Sequence, residues 1–318
     1  MEGFSPGEPS QQDGAECAPA DPVKKLFLKN EGLRAGWRLL IYGFVFIALF
    51  ISSSFVVVQI FRPTRDVFSP GYVLAAEFVS FASALAAAWV MSRIEGRATG
   101  VYGLPLRSGF GKLFLQGCLF GLVEIGFLIG VISAFGGYSF GTLTERGVPV
   151  LEWALFWAAF FVVVGCFEEF FFRGYALYTL AEGIGFWPAA IAMSLFFGAV
   201  HWRNAGENWI GVTGVVLVGL FWSFTLKRTG SLWFALGMHA AFDFGETFLF
   251  SVPDSGMVFP GHLSNATLGG PSWLTGGTPG PEGSVIDFLI LLCFFVIFDR
   301  LHPARRDEAG AATLDSAY

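Results

Sequence analysis

Residues 150–172 read VLEWALFWAAFFVVVGCFEEFFF, an apolar and aromatic run broken near its end by Glu168 and Glu169. A helix needs about 20 apolar residues to cross a bilayer, so this run predicts a membrane helix. Ionisable side chains at membrane depth are costly and indicate function by default. The alternative is that both carboxylates only brace the nearby Arg173.

The composition of the whole chain indicates a membrane protein. Of 318 residues, 54% are hydrophobic and only 14% are charged, with a mean hydropathy of +0.61. Soluble domains carry about 25% charged residues. These values argue against a soluble globular enzyme and against disorder of the main body. The chain has no block of Lys and Arg that would favour nucleic acid, and its four cysteines lack metal-site or disulfide spacing.

The hydropathy pattern predicts an all-α, polytopic transmembrane helix bundle with about eight transmembrane helices. The predicted spans are residues 38–61, 71–92, 113–136, 150–172, 188–202, 208–227, 231–251 and 284–300, of which the fifth and eighth are short. The organisation follows from these spans: a disordered acidic tail over 1–22, a surface segment and three helices over 23–145, a core of four helices over 146–251, a Gly/Pro-rich external loop over 252–283, and a last helix with a cytoplasmic tail over 284–318.

Lys and Arg are concentrated on one side of these predicted spans. With eight spans, fifteen of these residues fall on the side of the termini and four on the other. The positive-inside rule then places both termini inside. We expect an integral protein of a bacterial plasma membrane, with the loop 252–283 flexible and external.

The remaining polar residues within apolar runs lie between 165 and 245. Glu169 and Arg173 are four residues apart and can pair on one helix face. His201 alone is more often a packing residue, and His239 with Asp243 alone equally suits a hydrogen bond joining helices. The midpoint between 168 and 201 falls in the turn-like segment 183–188, so Glu168 and His201 should lie at similar depth in an antiparallel helix pair. The predicted fourth helix then extends to about 182, so it must tilt, project or bend near Gly174.

Three ordered motifs carry a family resemblance: EExxxR at 168–173, FxxxH at 197–201 and HxxxD at 239–243. Together they resemble the CAAX protease and bacteriocin-processing (Abi) family of intramembrane endopeptidases. Asn204 and the segment 229–233 resemble its supporting pattern. The resemblance covers about residues 150–250 and implies hydrolysis of a peptide bond in a membrane-associated or lipidated protein or peptide.

The resemblance also implies residue roles. Glu168 would activate the attacking water, His201 would assist, and His239 with Asp243 would stabilise the oxyanion, while Glu169, Arg173, Asn204 and Phe197 would support the site. Asp243 stands where many members have Asn, and an ionised Asp cannot donate a hydrogen bond. It would therefore be protonated or would orient His239.

Two questions stay open at this point. We expect no cofactor, but Glu168, His201, His239 and Asp243 could alternatively bind zinc with an open coordination position. An ion- or proton-coupled transporter is a second functional hypothesis, which Glu77 and Glu124 slightly favour, and a non-catalytic immunity or scaffold protein is a third. Glu77, Glu124 and Asp287 have no role in the protease hypothesis.

Overall fold

The computed structural model describes residues 28–29, 32–64, 67–144 and 146–304. The predicted acidic tail over 1–22 and the end of the cytoplasmic tail lie outside these residues. Each of the eight predicted spans corresponds to helical structure. The helices are α1 (Ala35–Phe61), α2 (Pro70–Glu95), α3 (Lys112–Ala134), α4 (Val148–Arg173), α5 (Tyr175–Ile184), α6 (Phe186–His201), α7 (Trp209–Thr229), α8 (Trp233–Phe244) and α9 (Val285–Leu301).

The described helices form an all-α bundle suited to a membrane. Five helical segments are long and apolar enough to cross a bilayer, with α4 and α5 counted together: Ala35–Phe61, Pro70–Glu95, Lys112–Ala134, Val148–Ile184 and Trp209–Thr229. The apolar side chains of α1, such as Phe44, Ile51 and Phe55, are exposed and suit contact with lipid. The remaining predicted spans correspond to the shorter helices α6, α8 and α9, which have 16, 12 and 17 residues.

The predicted seventh span is divided in the structure. The α-helix α8 ends at Phe244, and the chain continues as a π-helical turn, Gly245–Leu249. A π-helical turn leaves the usual hydrogen-bond ladder and often occurs near functional sites. Hydropathy gave no indication of this change, because the residues on both sides are apolar.

The helix that carries Glu168 and Glu169 breaks at the position where a bend was predicted. Helix α4 ends at Arg173 and α5 begins at Tyr175. A Cβ atom on Gly174 would lie 2.4 Å from the carbonyl oxygen of Phe170, so only glycine fits this backbone. The break lets α5 leave the axis of α4, and the turn at Gly185 (φ 87°) then leads into α6.

An ion-pair cluster connects α5 to α1 and α2. Arg38 at the start of α1 donates to Glu95 (2.9 Å) at the end of α2 and also to Glu182 of α5. Arg97 pairs with both carboxylates, and Tyr175 donates to Glu95. Three segments predicted to lie inside are thus held together at one end of the bundle.

Helix α8 packs most closely against α3, through glycines on both. A Cβ atom on Gly117 would lie 2.1 Å from the carbonyl oxygen of Phe234, and one on Gly121 would lie 2.3 Å from that of Met238. Gly117 and Gly121 form a GxxxG pattern, which permits this close approach of the two helices. The second GxxxG pattern, Gly126 and Gly130, has no atom within 4 Å of either added Cβ and makes no such contact.

The Gly/Pro-rich segment 252–283 is folded, whereas its composition suggested a flexible loop. A short strand in it, Thr267–Leu268, pairs with Tyr138–Ser139, and Tyr138 donates a hydrogen bond to the carbonyl oxygen of Phe250 at 3.0 Å. Buried side chains along it include Val252, Ser264 and Leu274. The segment lies against one end of the bundle, where it contributes to the cavity described next.

Candidate active site

A cavity of about 960 Å³, counting the space at its open mouth, lies among the helices. Its wall contains residues from all three of the predicted motifs and from the folded segment 252–283. The polar and aromatic side chains in the wall include Glu77, Glu124, Phe197, His201, Trp222, Glu168, His239, Asp243, Ser255, Glu282 and Asp287. Residues from motifs that are far apart in sequence therefore line the same cavity.

The two adjacent glutamates of α4 have different environments. Glu169 is fully buried, and both of its carboxylate oxygens accept hydrogen bonds from Nη1 of Arg173, at 3.0 and 3.1 Å. Glu168 lies in the cavity wall with its side chain 24% exposed. Glu169 therefore pairs with Arg173, as their spacing predicted, whereas Glu168 faces the cavity.

Arg173 is buried inside the bundle and holds three helices together. Its guanidinium group lies over the rings of Phe197 in α6 and Trp222 in α7, at 4.6 and 5.0 Å, and its Nε donates to the carbonyl oxygen of Gly219. Buried cation–π contacts of this kind stabilise the folded state. Arg173 thus supports the site from within the bundle.

His239 lies among three carboxylates. Its Nδ1 is 3.0 Å from Oε1 of Glu169, and its Nε2 is 3.3 Å from Asp243 and 3.8 Å from Glu168. The indole of Trp222 stacks on the imidazole ring, with centroids 4.7 Å apart. These contacts fix the ring plane and place carboxylate oxygens beside both ring nitrogens.

His201 reaches the cavity from the end of α6. Its Nδ1 is 2.9 Å from the carbonyl oxygen of Phe197. A carbonyl can only accept a hydrogen bond, so Nδ1 carries the proton and the neutral ring has its lone pair on Nε2. His201 can therefore accept a hydrogen bond through Nε2.

Residues 150–245 match a family model described as type II CAAX prenyl endopeptidase, Rce1-like. Over this segment the chain is similar to the CAAX protease family. The match contains all three motifs and supports a membrane-embedded protease at the level of the family. No curated protein matches the chain.

The supporting residues expected from the CAAX protease resemblance have separate positions. Phe197 packs against both Arg173 and the ring of His201, at 4.6 and 4.3 Å, and lies in the cavity wall. Asn204 does not contribute to that wall. Its backbone N–H donates instead to the carbonyl oxygen of His201, and so closes the end of α6.

The structure adds polar residues that the motifs did not indicate. Glu77, Glu124 and Asp287, which had no assigned role, line the same cavity as Glu168, and so does Glu282 from the segment 252–283. Burial and the charge of Asp243 raise the pKa of Glu282 to about 8. Glu282 and Trp222 were missed because neither belongs to a spaced motif; both reach the site through tertiary contacts.

The four residues considered as zinc ligands do not form a compact ligand set. Three or more ligand atoms within 4.8 Å of one another occur, among the described residues, only at Glu246, Asp254 and Glu282. Glu168, His201, His239 and Asp243, as the structure places them, therefore do not form a preformed four-ligand zinc site.

Proposed function

We propose that this protein is an intramembrane endopeptidase in which Glu168 activates a water molecule for attack on a peptide bond. The observation that carries the proposal is the meeting of Glu168, His201 and His239 at one cavity between apolar helices. Amide hydrolysis needs a base for water and a donor for the developing oxyanion, and this cavity presents both.

In the proposed reaction, water lies between the Glu168 carboxylate and Nε2 of His201. Glu168 takes a proton as the water oxygen bonds to the carbonyl carbon. The resulting oxyanion is stabilised by the imidazolium of His239, a charged donor that is stronger than a neutral one. Glu168 then returns the proton to the amide nitrogen as the carbon–nitrogen bond breaks, giving a carboxylic acid and an amine.

Glu169 and Arg173 act in this proposal as positioning residues. Glu169 accepts from Nδ1 of His239, which directs Nε2 toward the cavity. Arg173 balances the buried charge of Glu169 and fixes its direction through two hydrogen bonds. A catalytic ring whose far nitrogen is held by a buried carboxylate keeps the orientation that the reaction needs.

The test uses full-length protein in liposomes and a fluorogenic farnesylated CAAX peptide, with the same peptide lacking the farnesyl group as a comparison. Glu168→Gln and His201→Ala should each lower the cleavage rate by at least about 100-fold. The matched control is Glu152→Gln, an exposed carboxylate on the same helix. Full activity of Glu168→Gln on either cleaved peptide would refute the mechanism.

A second candidate, proton- or ion-coupled transport, is favoured by the additional carboxylates Glu77, Glu124 and Asp287 in the cavity wall. Intramembrane carboxylates commonly line proton and ion pathways. Proton and cation flux into the same liposomes distinguishes the two functions. Flux that depends on Glu77 or Glu124, without peptide cleavage, would support transport.

A further inference from the structure

Three acidic side chains outside the three motifs converge beside the active-site cavity. Glu246 lies in the π-helical turn that follows α8, Asp254 at the start of the segment 252–283, and Glu282 near its end. One carboxylate oxygen from each lies within 4.8 Å of the other two. Three stretches of chain therefore present oxygen atoms to one small volume.

Glu246 is the member of this cluster that points to a ligand. Its side chain is fully buried, and among the described residues no N–H or hydroxyl group donates a hydrogen bond to either carboxylate oxygen; its near neighbour Glu282 is another carboxyl group, with which it can only share a proton or a cation. By contrast, Asp254 accepts from the hydroxyl of Thr247 at 2.9 Å, and Glu282 accepts from Ser255 at 3.3 Å. A buried carboxylate without a partner is strongly unfavourable, so something besides these protein donors must satisfy Glu246.

Other carboxylates near Glu246 increase the free-energy cost of leaving its charge unpaired. Asp243 lies three residues before Glu246 and adds a fourth carboxylate to this region. None of the described Lys or Arg residues forms an ion pair with Glu246, Asp254 or Glu282. Only a bound cation or bound protons would neutralise such a group.

We propose that Glu246, Asp254 and Glu282 form a binding site for a hard divalent cation, with Ca²⁺ as the favoured ion. The ligand atoms are all carboxylate oxygens, without His nitrogen or Cys sulfur, which favours Ca²⁺ or Mg²⁺ over zinc. Ca²⁺ tolerates irregular oxygen shells and longer ligand distances, whereas Mg²⁺ requires a compact octahedron. Water from the cavity would complete the coordination.

The position of the site explains how a cation could enter it and what binding would do to the structure. Glu282 and its partner Ser255 line the active-site cavity, so an ion can reach the cluster from there. Once bound, it would join the end of α8, which carries His239 and Asp243, to both ends of the folded segment 252–283. The cation would thus stabilise the wall of the cavity without entering the proposed hydrolytic step.

The experiment measures Ca²⁺ binding to full-length protein in detergent after removal of metals with a chelator. Isothermal titration calorimetry should give one site per chain, and the thermal unfolding midpoint should rise with Ca²⁺. Glu246→Gln and Asp254→Asn, two independent nearly isosteric changes, should each weaken binding by at least about tenfold. Glu124→Gln is the matched control, since Glu124 is buried and lines the cavity outside the cluster.

Two results would overturn the proposal. One is absence of Ca²⁺ and Mg²⁺ binding by the wild-type protein, which would mean that the carboxylates share protons instead. The other is equal affinity in wild type and in whichever of the two variants folds, which would mean that Ca²⁺ binds elsewhere. Neither readout depends on peptide cleavage, so failure of this proposal and failure of the proposed protease mechanism are distinguishable.

Discussion

The two ring nitrogens of His239 have different surroundings, one structural and one at the proposed reaction site. Nδ1 faces the buried Glu169, whereas Nε2 faces Asp243 and Glu168 at the cavity. Asp243 can therefore act by orienting His239, although the resemblance to the CAAX protease family led us to expect an asparagine here. In this interpretation the imidazolium provides the donor that an asparagine amide would otherwise supply.

Asp243→Asn tests whether Asp243 acts by orienting His239. The asparagine carbonyl can still accept from His239 and its amide can donate to the oxyanion, so cleavage should stay within about tenfold of wild type. Asp243→Leu removes both functions and should lower the rate by about 100-fold or more. Cleavage kinetics of both variants check the prediction, and equal loss in the two would contradict the orienting role.

Arg173 and Glu169 provide a second prediction at the residue scale. Arg173→Met leaves Glu169 buried without its partner and should cost about 3–5 kcal/mol of stability. Replacing both, as Glu169→Leu with Arg173→Met, should recover much of this loss because no uncompensated charge remains. Thermal unfolding in detergent measures both.

A peptide-cleavage assay distinguishes the positioning role of Glu169 and Arg173 from their effect on the stability of the fold. The double variant should stay inactive, since His239 has lost the carboxylate at Nδ1. If the double variant regained activity together with stability, Glu169 would have no positioning role.

Among the helices, the close packing of α8 against α3 depends on glycines in α3. Gly121 has the carbonyl oxygen of Met238 2.3 Å from the position of an added Cβ, whereas Gly126 on the same helix has no atom within 4 Å. Gly121→Ala must separate α3 from α8, and should lower both the unfolding midpoint and the cleavage rate. Gly126→Ala, the matched control, should be neutral or stabilising by up to about 1 kcal/mol. Similar losses in both variants would argue against this contact.

Most of the helices could be predicted from sequence because they are long apolar runs with polar ends. The bend at Gly174 and the pairing of Glu169 with Arg173 followed from helix length and spacing alone. The π-helical turn and the folding of the segment 252–283 could not be predicted, because local composition does not record which distant backbone a Gly/Pro-rich segment contacts. Glu246, Asp254 and Glu282 were missed for the same reason.

Among the described residues, the buried charged side chains lie mainly at or beside the cavity and in the cluster of Arg38, Glu95, Arg97 and Glu182 at one end of the bundle. The cluster joins segments that the distribution of Lys and Arg assigns to the inner side. We propose that this end faces the cytoplasm.

Single cysteines test this orientation in a background with the native cysteines replaced. Leu106→Cys lies between α2 and α3, and Val148→Cys lies at the start of α4; both positions are exposed. A membrane-impermeant maleimide should label Val148→Cys in intact cells and Leu106→Cys only after lysis. The reverse pattern would contradict the proposed orientation.

Hydrolysis by Glu168 in a cavity between the membrane helices predicts a change in the termini of cellular proteins. Membranes from cells that produce the wild-type protein, Glu168→Gln or Glu152→Gln at equal levels would be analysed by mass spectrometry of N- and C-terminal peptides. We expect a set of new termini with wild type and with Glu152→Gln that is absent with Glu168→Gln. Identical termini in all three would contradict this mechanism.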